Sequence, residues 1–214
     1  MNKIFITGGT GYIGSRLIKV LLAKGYDVSA LVRTGSESKL PQGAVPVFGN
    51  AFDAGSFENT IPSNSIFIQL LGVPHPGPKK KEFFKSVDLA SAKASAAAAK
   101  KAGASHFIYI SVAQTPTKIM KDYQECRAAG EAAIRETGLA ATFIRPWYVI
   151  GPGHYWPVLF LPIFKVLEMI PSTRQKAKAL QLVYLKQILN VLTYSVENTA
   201  EGIRIIEIEE IRKF

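Results

Sequence analysis

A single cysteine, Cys126, stands among 214 residues. An internal disulfide is therefore excluded, and the usage fits a reducing compartment, so a cytoplasmic location is expected. Histidine is nearly as scarce, with three residues. Neither His75 nor His154 has a metal-ligand partner at useful spacing, and no metal is expected. Acid is in short supply too: 16 Asp and Glu stand against 26 Lys and Arg, a net charge of +10, which suits phosphate-bearing ligands. The basic residues are scattered apart from Lys79–Lys81 and Lys100–Lys101. No reader motif accompanies them, so nucleic acid is not an expected partner. Long apolar runs are also missing. Tyr155–Ile170 is interrupted by Pro157, Pro162, Lys165 and Glu168 and falls well short of the roughly 18 to 20 apolar residues a membrane span needs. No transmembrane segment is expected, and no secretory signal is visible ahead of the first strand. The length suits one compact domain, a monomer or homodimer.

What the chain does have is a glycine turn at its start. Residues 4–14 read IFITGGTGYIG, an apolar run that ends in Gly8, Gly11 and Gly14 and then enters a helix near Tyr12. Gly8 allows the tight turn, Gly11 lets a pyrophosphate approach the backbone, and Gly14 lets helix and strand pack closely. The helix start then supplies unpaired N–H groups and a positive dipole end. Thr10, Tyr12 and Ile13 belong to the same cradle, which predicts dinucleotide binding.

Strand and helix patterns alternate from there. Strands are predicted at Asp27–Arg33, Val45–Phe48, Ser65–Leu71, His106–Ser111 and Ala141–Ile144. Helices are predicted from Tyr12 to Ala23, from Asp53, from Phe83 to Ala102 and from Lys121 to Glu136. The unbroken apolar run Ser65–Leu71 suits a strand buried on both faces. The fold class expected is α/β, a doubly wound parallel sheet, because right-handed crossovers leave little else. Residues 1–214 form one domain in this reading. Within it, residues 154–214 supply a cap on the substrate side and the last strand, through a helix at Pro157–Ile170, a short strand at Leu182–Tyr184, a helix through Val196 and a strand at Ile203–Ile208.

Ligands bind such sheets at the carboxyl ends of the strands. Leu71 and Gly72 end the fourth strand and open a Gly/Pro-rich loop there. Arg33 ends the second strand, where an acidic residue would hold the ribose hydroxyls of NAD. A guanidinium pairs with a 2′-phosphate instead, so NADP is favoured over NAD. Asn50 and Ala51 follow the third strand, near the place of the adenine.

With TGGTGYIG, Arg33, GNAFD, YIS, a Tyr-x-x-x-basic helix and FIRPWYVIGPG in this order, the chain resembles the short-chain dehydrogenase/reductase superfamily. More narrowly it resembles the atypical NmrA-like and NAD-dependent epimerase/dehydratase-like members. The resemblance implies a tyrosine general acid or base with a cation four residues on, here Tyr123 and Arg127. Positions i and i+4 share a helix face, so the cation lowers the phenol pKa and also holds the nicotinamide ribose. Arginine stands where the family has lysine, and its planar fork cannot relay a proton. Glu131, four residues further, can pair with Arg127 along the helix. The family's serine falls one or two places after Ser111, at Val112 and Ala113, which carry no oxygen. The remaining candidates are the Ser111 hydroxyl, or Gln114, Thr115 or Thr117 donating to a substrate carbonyl from the loop. Pro146 to Val149 line the nicotinamide by the same resemblance, and Trp147, Tyr148, His154, Tyr155 and Trp156 crowd the mouth, either binding a flat ligand or packing a hinge.

Three functions follow from these residues. One is an NADP-dependent oxidoreductase acting on a small carbonyl or alcohol. The others are a redox sensor that binds NADP without turnover, and an accessory subunit that keeps the nucleotide for stability.

Overall fold

The computed structural model describes residues 3–73, 77, 80–117, 120–155, 169–170 and 180–214. Seven strands form one sheet: β1 (Lys3–Thr7), β2 (Asp27–Val32), β3 (Val45–Phe48), β4 (Ile66–Gln69), β5 (His106–Ile110), β6 (Ala141–Ile144) and β9 (Ile203–Ile206). Their order is β3-β2-β1-β4-β5-β6-β9, and every pair is parallel. The order reverses between β1 and β4, which opens a crevice beyond the carboxyl ends of those strands. This is the expected doubly wound sheet.

Alternation along each strand gives the sheet two chemically different faces. Ile4, Ile6, Ile66, Ile68 and Ile108 point to one side and pack on α1 (Gly14–Ala23) and α5 (Leu185–Glu197), through Leu17, Ile18, Leu21, Ile188 and Val191. Phe5, Phe67 and Phe107 point to the other. They lie in register on neighbouring strands, with ring centroids 5.3 and 5.0 Å apart. Three rings abreast make a bulky layer. The helix above them is accordingly thin: α3 (Ala90–Lys101) presents Ala92, Ala96 and Ala99, so large and small side chains interlock across the interface.

Before α3 the same helix runs through α2 (Lys81–Phe83) and a π-helical turn, Phe84–Leu89. Helix α4 (Lys121–Glu136) packs beside the π turn and α3.

The structure differs from expectation in three places. The segment after Asp53 makes two short 3₁₀ turns, Ala54–Ser56 and Glu58–Thr60, instead of a regular helix, because the Asp53 carboxylate accepts from Gly55 N at 3.0 Å and tightens the chain. The expected cap over 154–214 divides. Helix α5 and β9 join the central sandwich, since Ile188, Val191, Leu192 and Val196 have an apolar sheet face to cover. Among the described residues of that stretch, β8 (Leu182–Tyr184) lies apart, in a two-stranded parallel sheet with β7 (Tyr148–Ile150) that is not among the strands expected from the sequence. The helix expected at Pro157–Ile170 falls almost wholly outside the described residues. A last helix, α6 (Ile208–Ile211), ends the chain. Among the described residues no helix is long and apolar enough to cross a membrane.

Candidate functional site

At the start of the crevice, Gly8 adopts φ +75°, a left-handed conformation that favours glycine. A Cβ on Gly14 would lie 2.2 Å from the Gly8 carbonyl oxygen, so only glycine lets α1 sit this close to the turn after β1. Gly11 N donates to Gly8 O at 3.0 Å and closes the turn. Helix α1 has no side-chain cap and no acid in its first turn, so its positive dipole end meets no carboxylate of its own there. These residues fit a dinucleotide diphosphate: Gly8 makes the tight turn and Gly14 the close approach of helix to strand.

Beyond the turn lies a cavity of about 240 Å³. Its wall includes Tyr12 and Ile13 from the glycine turn, Gly72 after β4, Ser111 after β5, Tyr123 and Arg127 from α4, and Pro146 and Val149 after β6. Trp147, Tyr148 and His154 of the expected aromatic group line it too, so eleven residues singled out from the sequence meet at one place. Gly8, Thr10, Gly11, Gly14, Arg33, Asn50, Ala51 and Leu71 lie outside that wall, in the turn, along the first three strand ends or just behind it. Arg33 is exposed directly after β2 and has no ion pair among the described residues. The Asn50 side-chain oxygen accepts from Phe52 N at 3.1 Å, so it shapes the local turn.

Two hydroxyls in the wall, those of Tyr12 and Ser111, are buried and have no hydrogen-bond partner among the described residues. Buried polar groups are normally satisfied, so an orphaned pair facing one cavity marks a place for a ligand's polar atoms. Of the candidates for the place of the family's serine, Ser111 lies in this wall. Gln114 turns back on Val112 O, and Thr117 donates to Gln124 Oε1; with Thr115, these three loop candidates lie outside the wall. The apolar part of the wall, Val73, Val112, Met120 and Trp147, was not anticipated as a group.

Tyr123 is buried, with its ring 4.9 Å from that of Phe84. Arg127 Nε donates to the Tyr123 phenol oxygen at 3.2 Å, as the i, i+4 spacing implies. Arg127 is itself buried. Its Nη1 donates to Tyr109 Oη at 3.3 Å and to Ile110 O at 3.0 Å, and its Nη2 lies 2.6 Å from Asp88 Oδ1. That last contact is an ion pair in distance without hydrogen-bond alignment. The expected Arg127–Glu131 pair does not form. Glu131 instead takes Arg145 through two contacts, 2.9 and 2.6 Å, and Arg145 also reaches Glu207 at 2.7 Å. The reason is direction: Arg127 turns inward to the buried Asp88 on the π turn, and Arg145 leaves β6 alongside Glu131.

Burial pushes the Tyr123 phenol above the ordinary tyrosine value, and the nearby Arg127 only partly offsets this. The Tyr–cation spacing alone implied the opposite direction. Tyr109 behaves alike, pushed up to about 12 by burial. Asp88 is also raised, because burial outweighs the attraction of Arg127 and the donation from Val73 N. Asp88 and Tyr109 were not singled out from the sequence. The available signal was that Asp88 is the sole acid between Phe83 and Ala102.

A profile of the family described as NAD(P)H-binding matches residues 8–151. Ceramide reductase of Caulobacter vibrioides is 28% identical over 152 residues, covering 70% of this chain and 47% of that protein. A decarboxylating sterol-4-alpha-carboxylate 3-dehydrogenase of Dictyostelium discoideum is 34% identical over 70 residues, 32% of this chain and 21% of that protein. The chain thus spans about half the length of the first of these relatives and less of the second. Among solved structures, the Bordetella bronchiseptica enzyme WbmH in complex with NAD+ superposes with a TM-score of 0.72 at 20% identity, over 100% of this chain and 80% of that one. At that identity the likeness is one of fold.

Proposed function

The chain belongs to the NAD(P)H-binding family, and from that premise we propose that it is an NADPH-dependent reductase of a carbonyl group on a small, largely apolar compound. The observation that carries this reading is the convergence of the Tyr123 phenol and the unpartnered Ser111 hydroxyl on one cavity whose other walls are mostly apolar. The relatives named for ceramide and sterol substrates lend support to an apolar substrate.

The glycine turn and the start of α1 would hold the diphosphate, and Arg33 would hold the 2′-phosphate that distinguishes NADPH. When bound, the reduced nicotinamide supplies a hydride to the carbonyl carbon. The Ser111 hydroxyl orients the carbonyl by donating to its oxygen. The Tyr123 phenol gives its proton to that oxygen, and solvent returns a proton to the phenolate. Val112, Met120 and Trp147 exclude water from the reacting centre. A second reading, nucleotide binding without turnover, is favoured by one observation: the Arg127 guanidinium is engaged by Asp88, Tyr109 and Ile110, so it is not free to hold a ribose.

NADPH oxidation across a panel of apolar aldehydes and ketones separates the two. Turnover should appear with part of the panel, and Tyr123→Phe should lower it by about 100-fold or more, in keeping with loss of a general acid, with NADPH affinity retained. Tight NADPH binding without turnover over the whole panel would establish the second reading. Full activity in Tyr123→Phe would contradict the first.

A further inference from the structure

A guanidinium donates hydrogen bonds and accepts none. In the contact between Arg127 Nε and Tyr123 Oη, at 3.2 Å, the phenol oxygen is therefore the acceptor, and its own proton points elsewhere. What fixes Arg127 in this attitude is not on its own helix. Asp88, from the π-helical turn Phe84–Leu89, lies 2.6 Å from Nη2. Both partners are buried, Asp88 completely. Asp88 is anchored in turn by Val73 N, which donates to Oδ2 at 3.2 Å.

The space for this pair exists because residue 72 is glycine. A Cβ there would lie 2.1 Å from Arg127 Nη2 and 2.9 Å from Asp88 Oδ1. A π turn adds one residue to a helical turn and is frequent at functional sites. Here it carries the acid that meets the guanidinium.

Resting on the reading that Tyr123 donates a proton, we propose that Asp88 is its positioning residue. By anchoring and balancing the Arg127 guanidinium, Asp88 keeps the Tyr123 oxygen an acceptor toward Arg127 and leaves the phenol proton for the cavity, so that the site delivers protons at neutral pH. In that step the phenol O–H bond breaks as a new O–H bond forms on the substrate oxygen. The hydride comes from the bound nucleotide, and water later restores the phenol proton.

The charged and titratable groups facing Tyr123 are Arg127 and Cys126 on α4, Asp88 on the π turn and Tyr109 on β5. Burial holds the phenol up, Arg127 pulls it down, and Asp88 pushes it up again. Removing the Asp88 charge therefore leaves the cation uncompensated beside the phenol, and the phenol becomes more acidic.

The test titrates Tyr123 in the protein without substrate. The signal is the near-ultraviolet phenolate absorbance that Tyr123→Phe lacks, measured in wild type and in Asp88→Asn. Wild type should titrate above the ordinary value of 10, and Asp88→Asn should move the midpoint down by about one pH unit or more. Asp88→Glu, which keeps the charge, should restore it. An unchanged midpoint in a folded Asp88→Asn protein overturns the proposal, because a purely structural Asp88 would alter stability without moving Tyr123. Should Asp88→Asn not fold, the double variant Asp88→Asn/Arg127→Gln decides. A buried pair replaced by two neutral partners leaves no orphaned charge, so Tyr123 is titrated in that variant instead: a midpoint above that of wild type, because the stronger pull of Arg127 is lost together with the push of Asp88, supports the proposal, and an unchanged midpoint overturns it. Because the titration needs no turnover, a shifted midpoint alongside an inactive wild type would refute the reductase reading and leave the role of Asp88 in orienting the phenol intact.

Discussion

Arg33 and Arg127 carry the same charge into opposite surroundings, and this decides what each can do. Arg127 is buried and committed to protein partners. Arg33 is exposed at the end of β2 with no ion pair among the described residues, so its donors are available to an incoming anion. Hydrogen bonds to a charged group contribute about 1.5 to 3 kcal/mol. Arg33→Ala should therefore weaken NADPH binding by roughly 10- to 100-fold, with little change for NADH. Equal losses for both nucleotides would remove Arg33 from the phosphate contact. The Tyr123–Arg127 pair was legible through the family resemblance, and the two side chains meet because four residues is about one helical turn. Asp88 was not, because the residue that completes the pair lies 39 positions before Arg127 on another helix, and no local pattern announces a π turn. Ser111 was legible as a candidate hydroxyl. That it is orphaned in the cavity wall depends on how the loops after β4, β5 and β6 meet.

At the scale of elements, the sheet rests on a division of its faces into aliphatic and aromatic layers. Phe67 is the middle ring of the row Phe5, Phe67, Phe107 and is fully buried. Phe67→Ala should cost about 3 to 5 kcal/mol, since a thin alanine helix cannot collapse into the space. Urea unfolding would measure it, and a loss under about 1 kcal/mol would show that the ring layer is not the core's main support. The inner strands β1, β4, β5 and β6 were readable because parallel strands buried on both faces are nearly continuous apolar runs. Helices α1, α3 and α4 were readable from their period and their glycine or alanine content. The segment after Asp53 was not, because its 3₁₀ turns depend on one carboxylate capping Gly55. Nor was β7, three residues directly after Pro146 and Trp147 whose partner strand comes more than thirty residues later.

For the whole molecule, the strand order places the glycine turn, the Arg33 strand end and the Tyr123 cavity along one crevice. A net charge of +10 adds a long-range attraction for an anionic dinucleotide that falls with salt. Fold class and family were legible in the first 150 residues, because the glycine spacing and the strand–helix alternation are local. The C-terminal third was harder. Helix α5 reads equally well as a lid or as a sheet-covering layer, and only the apolar face left open by β1, β4 and β5 selects the second.

Calorimetric titration of the protein with NADPH and with NADH tests most directly whether that crevice seats a nicotinamide dinucleotide. Saturable one-to-one binding of NADPH, tighter than that of NADH, is the predicted result. Heat of binding from neither nucleotide would contradict it.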